Sequence, residues 1–136
     1  MNNQLHSMKL NSLRFVAMIA LLILSACSSP IEQEYKQLNA EVMKIHDDAM
    51  SEMHKLVSLK KKIMSDSTLS STDEGVQAIK MLEKADKHMM AWMRNFKKPE
   101  QIDEAAIAYL EQQLESVQLM AEEIYGAIEY AEKVKK

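Results

Sequence analysis

The chain has 136 residues, 20 of them acidic against 17 Lys and Arg, with one cysteine, two glycines and two prolines. That length holds one domain, the lone cysteine excludes a disulfide within the chain, and a net charge of −3 provides no basic face for nucleic acid. β-Branched residues are sparse against Ala, Glu, Lys, Leu and Met, which is the composition of long helices and predicts an all-α fold.

Residues Met1 to Arg14 are mostly polar, contain no acid and carry Lys9 and Arg14, and Phe15 to Leu24 is an unbroken apolar run of ten. This is the pattern of a signal-peptide n-region and h-region. The run is too short for a spanning helix, which needs about 20 apolar residues. Small Ser25 and Ala26 then lead to Cys27. Over residues 1–27 the chain resembles bacterial lipoproteins, with Leu24-Ser25-Ala26-Cys27 as the lipobox. That resemblance implies that the thiol of Cys27 is diacylated, that the signal peptide 1–26 is cleaved, and that the new amine is acylated. The alternative is an ordinary secreted protein whose cysteine follows the h-region by chance. Each buried acyl methylene contributes ~0.8 kcal/mol and one chain anchors only marginally, so two or three chains make attachment lasting. The resemblance also implies a cell-envelope address. Ser28, after the cysteine, resembles outer-membrane sorting in some bacteria, so the expected place is the outer membrane, facing the periplasm.

The mature part, Cys27 to Lys136, carries 15 basic and 20 acidic residues, a formal charge of −5. Residues 27–30 are the acylated cysteine and a short tether. If extended at ~3.3–3.6 Å per residue, the tether holds the domain at 31–136 within ~10–20 Å of the membrane surface.

A first helix is predicted over about 31–65. Ile31, Tyr35, Leu38, Val42, Ile45, Ala49, Glu52, Leu56, Leu59 and Ile63 alternate spacings of four and three, with Glu52 the single break. Beside that seam runs a second stripe, Met43, His46, Met50, Met53, Val57, Lys60 and Met64, on one side only. A face so broad suits a helix that touches two partners. Residues 66–73 (DSTLSSTD) read as a loop of residues that compete locally for backbone hydrogen bonds. Ser71 with Glu74 fits a capping box. A second helix over about 72–97 has the seam Ala78, Leu82, Ala85, Met89, Trp92 and Phe96, with Lys97 and Lys98 at its C-terminal pole. Pro99 is suited to open a third helix over about 99–134, with Glu100, Asp103 and Glu104 in its first turns. Its seam is Ile107, Leu110, Leu114, Val117, Ala121, Ile124, Ile128 and Ala131. Short connections make successive helices antiparallel neighbours. The prediction is an up-down-up three-helix bundle with coiled-coil-like seams, preceded by a cleaved signal peptide.

That topology allows a registration. If Ser65 pairs with Thr72, residues whose numbers sum to about 137 lie at one height. His46 is then level with Ala91, and Met43, His46 and Met50 come beside His88, Met89, Met90, Trp92 and Met93, with Tyr109 of the third helix nearby. Thioether and imidazole are ligands suited to Cu(I), because soft neutral sulfur needs no deprotonation. His46 with Met50, and Met89 with Met93, have the i, i+4 spacing that places two side chains on one helix face. These four are the candidate metal ligands, with Met43, Met53, His88, Met90 and Trp92 as neighbours, Trp92 by cation–π contact. The competing reading is ordinary: Met fills irregular gaps, and Met stripes at helical spacing are usually core.

Other constellations carry less. Asp47, Asp48 and Glu52 stand near His46, but no Glu lies three residues before His46, His54 or His88, as di-iron motifs require. Lys60, Lys61 and Lys62 form a solvated turn at the helix end remote from Cys27. No nucleotide loop, Ser/His/Asp set or Cys/His dyad is present, so an enzyme is not expected. Through EVMKIHDDAMSEMHKL (Glu41 to Leu56) and ADKHMMAWMRNF (Ala85 to Phe96) the mature part is similar to small helical lipoproteins of the Bacteroidetes, some labelled "viral A-type inclusion protein". That label reflects coiled-coil-like composition, and the resemblance brings no activity with it. Two functions remain. The preferred one is a non-enzymatic envelope lipoprotein, structural or docking a protein partner, needing no cofactor beyond the lipid at Cys27. The alternative is a periplasmic Cu(I)-binding or sequestering protein.

Overall fold

The computed structural model describes residues 29–135. The expected signal peptide, 1–26, and the acylation site, Cys27, lie outside the described residues. Among those residues 88% are helical and none is in a strand, so the fold is all-α. Three long helices, α1 (Pro30–Ser65), α3 (Asp73–Asn95) and α4 (Glu104–Val134), are joined with a single-turn helix, α2 (Ser67–Ser70). Among the described residues no helix is long and apolar enough to cross a membrane.

In α1 the buried residues Tyr35, Val42, Ala49, Leu56 and Ile63 recur every seven, joined by Met53 and Leu59. Glu52, the break in that seam, is half-buried, and its carboxylate turns to Lys55 at 2.6 Å. The second stripe divides along its length: Met43, His46 and Met50 are half-buried and Met53 is buried, whereas Val57 and Met64 are exposed. The outer face of α1 carries the ion pairs Lys36–Glu32 at 2.6 Å and Lys44–Asp48 at 2.7 Å.

The segment after α1 departs from the expected loop by forming one helical turn. Asp66 caps it, its Oδ1 accepting from the backbone N–H of Thr68 at 2.9 Å and Leu69 at 3.1 Å, which satisfies donors a helix start leaves free. The expected capping box of Ser71 and Glu74 does not form. Thr72 is the cap of α3, accepting from Gly75 N–H at 3.0 Å and donating to the Leu69 carbonyl at 2.8 Å, while the Ser71 hydroxyl donates back to Thr68. Gly75 is needed there for space. A Cβ at that position would stand 1.9 Å from the Leu69 carbonyl oxygen.

The third long helix begins later than Pro99 suggested. Residues 96–103 form a connection and α4 opens at Glu104, with Asp103 accepting from Ala106 N–H at 2.8 Å. A carboxylate cap at Asp103 outcompetes the proline as a start signal. The backbone of the connection is used instead by two tyrosines: Tyr35 Oη donates to the Pro99 carbonyl at 3.0 Å, and Lys97 N–H donates to Tyr109 Oη at 2.8 Å. Lys97 and Lys98 thus sit past the end of α3, which closes at Asn95 with Phe96 N–H bonded to the Trp92 carbonyl at 2.7 Å.

All three predicted seams contribute to the interior. The main core cluster takes Val42, Leu56 and Ile63 from α1, Leu82 and Met89 from α3, and Val117 and Ile124 from α4, with smaller residues among them. A second, smaller cluster joins Tyr35, Ala106 and Leu110, with Phe96 and Tyr109 packed against it. Burying such side chains contributes roughly 25 cal/mol per Å² of apolar surface.

Candidate functional site

The start of the site is the second stripe of α1. Asn39, Met43, His46 and Met50 fall within one narrow arc of the helix by their spacing. Across from them α3 presents Trp92. The His46 imidazole lies on the Trp92 indole, ring centroids 5.3 Å apart and planes at 29°. A pair numbered 46 and 92 is within a residue of the height count of 137 that equal rise along two antiparallel helices requires. The ladder continues: Trp92 stacks on Phe96 at 4.8 Å, and Phe96 meets Tyr109 of α4 at 6.1 Å. Four rings, from three helices and the connection between α3 and α4, therefore form one row. Such contacts contribute ~0.5–1.5 kcal/mol each beyond the area they bury.

The polar atoms along this row are unevenly served. His46 Nδ1 is 2.9 Å from Asp47 Oδ1. His46 Nε2, Trp92 Nε1 and Asn39 Oδ1 are all buried with no hydrogen-bond partner in the protein. An unpaired buried donor or acceptor costs about 1–3 kcal/mol, and natural interiors hold few. Two of these three atoms belong to rings in direct contact.

The other candidate residues take different places. Met89 is wholly buried in the main core cluster, Met53 is also part of that core, and Met50 and Met93 are half-buried and packed against it. Met90 is exposed. His88 is exposed and faces α4, its Nδ1 2.7 Å from Glu123 Oε2, while Lys84 Nζ is 2.7 Å from the other carboxylate oxygen. Burial pushes the Glu123 carboxyl up, but hydrogen bonds from Lys84 and His88 and their positive charge more than offset this and hold it below its ordinary value. His54 is exposed with its Nδ1 2.8 Å from the Ser51 carbonyl. Among the described residues no three His, Cys, Asp or Glu side chains gather closely enough to hold a metal ion.

Sequence reasoning missed Asn39 and Glu123 as participants, had Phe96 only as a seam residue, and set Asp47 near His46 only as one of three carboxylates. For Asn39 a signal existed, since it stands seven residues before His46 on the same stripe. For the contact of Asp47 with its neighbour's ring, periodicity offers none, because adjacent helical residues point apart. A groove also runs between α3 and α4, bordered by Met81, Ala85, Leu119, Glu123 and Gly126, and continues to Trp92 and His88. Trp92 thus contacts the imidazole of His46 and borders an outer groove. Comparison with known protein families, with curated proteins and with solved structures finds no match to this chain.

Proposed function

We propose that this protein is a lipid-anchored helical module of the bacterial cell envelope, held to a membrane through Cys27 and acting by contact with a protein partner or as a structural element rather than by catalysis. The observation that carries the reading is Leu24-Ser25-Ala26-Cys27 placed directly after ten apolar residues and a basic, acid-free leader. A placement in the outer membrane, facing the periplasm, is supported by Ser28 after the cysteine. The domain that follows is an up-down-up three-helix bundle in this proposal. Its support is the brevity of the two connections, 66–72 and 96–103, together with the meeting of Tyr35, Phe96 and Ala106 in one apolar cluster.

The test is acylation. Cells fed radiolabelled palmitate should place label on the wild-type protein and none on Cys27→Ser, while the variant keeps the helical circular dichroism of a folded domain. Label retained on Cys27→Ser, or absent from wild type, would overturn the anchor.

A further inference from the structure

The pair His46 and Asp47 has no part in anchoring, and packing of His46 on Trp92 does not account for its bond to Asp47. A carboxylate only accepts hydrogen bonds, so at 2.9 Å from Asp47 Oδ1 the Nδ1 atom of His46 carries the proton. Nε2 is then left with an unused lone pair on an atom that is buried and unpartnered. Such an arrangement, one ring nitrogen donating to a carboxylate and the other free, is how metal-ligating histidines are held. The remaining donors decide which metal. Met50 is one turn from His46 on the same face of α1, and Met93 is one turn after the buried Met89 on α3; Met50 and Met93 are both half-buried against the same apolar cluster. Thioethers are soft, neutral donors that favour Cu(I) over Zn(II) or Mg(II). Trp92, in ring contact with both His46 and Phe96, is a fluorescent reporter beside that nitrogen.

We infer that His46 Nε2, with the sulfurs of Met50 and Met93, forms a binding site for a soft monovalent cation, Cu(I), between α1 and α3, and that Asp47 is the positioning residue that presents Nε2 to it. Met89, the fourth donor suggested by the sequence, is wholly buried in the core, and the site does not need it. The rival occupant is a water molecule, which can accept from Trp92 Nε1–H and donate to His46 Nε2.

The experiment uses the full chain in detergent micelles, with Cys27→Ser in every arm so that no free thiol contributes. Cu(I) is supplied from its bicinchoninate complex, and Ag(I) serves as an air-stable surrogate. Wild type should take up one equivalent with quenching of Trp92, the chain's single tryptophan. His46→Phe, which keeps a ring against the indole, and the double variant Met50→Leu, Met93→Leu should both lose that uptake while melting cooperatively. Asp47→Ala should bind about 10–100-fold more weakly. Long-range 1H–15N spectra should show His46 as the Nδ1–H tautomer before metal, with Nε2 shifting on Ag(I) addition. No uptake by wild type, or equal uptake by His46→Phe, overturns the site in favour of the bridging water. Uptake with Nδ1 as the shifted nitrogen, or undiminished in Asp47→Ala, overturns the role of Asp47 while leaving the thioether site standing. None of these results depends on whether Cys27 is acylated.

Discussion

The two connections of this molecule solve the same problem in opposite ways. Between α1 and α3, every polar group that matters is served from within the turn: Asp66 caps α2, Thr72 caps α3 and also donates to Leu69, and Gly75 lets the chain pass close to the Leu69 carbonyl. Between α3 and α4, local bonds close α3 and cap α4, but the chain between them is pinned from outside, by Tyr35 sixty-four residues before its acceptor and by Tyr109. The aromatic row that begins at Tyr109 runs to His46, and along it lie the unpartnered buried atoms of His46 and Trp92. The first region is satisfied locally and is stability. The second holds unmet polar capacity, which structures retain where a ligand, a water or a function meets it.

The sharpest way to break this contrast is Gly75→Ala. The added methyl meets a backbone oxygen at 1.9 Å, and that oxygen already accepts from Thr72 Oγ1. Overpacking of this kind costs ~1–3 kcal/mol, which exceeds the ~1 kcal/mol that alanine gains over glycine in a helix. Urea unfolding should therefore give a lower midpoint for the variant. A midpoint at or above wild type would mean that the turn relaxes freely and is not a tight, self-contained unit.

A paired comparison comes next in size. Thr72→Ala removes a cap whose hydroxyl is fully used and should destabilise by ~1 kcal/mol. His46→Leu removes a buried nitrogen that has no partner and restores apolar contact with Trp92, so stability should change by less than the Thr72 variant does, in either direction. If His46→Leu proves the more damaging of the two, Nε2 is satisfied in the metal-free protein and the contrast between the two regions fails.

The smallest expected effect is the pH response of the α3 to α4 contact. The Glu123 carboxyl is held below its ordinary value in the folded protein. Its contribution is therefore complete above the unfolded carboxylate value and is lost as pH falls through the lowered folded one. Because the carboxylate is partly exposed, the contribution is on the order of a few tenths of a kcal/mol. Melting measured from neutral to acid pH should fall slightly less steeply in Glu123→Gln than in wild type. Parallel curves would show that Lys84 and His88 touch Glu123 without holding α3 to α4.

Much of this architecture was legible in the residues themselves. Helical seams at alternating spacings of four and three placed Val42, Leu82, Val117 and their neighbours inside, because burial of one face follows from 3.6 residues per turn whatever the partner helix is. The antiparallel count, which set His46 level with Ala91, came within one residue of its ring partner Trp92. Local signals failed where two were available and competed: Thr72 over Ser71 as the cap, Asp103 over Pro99 as the helix start. Tertiary structure alone decided the rest. That His46 Nε2 and Trp92 Nε1 are left buried without partners, and that two tyrosines hold the second connection, are outcomes of packing between separate segments. A hydrophobic period records which face of a helix turns inward, but the pairing of polar atoms depends on distances of a few tenths of an ångström that no one-dimensional pattern carries.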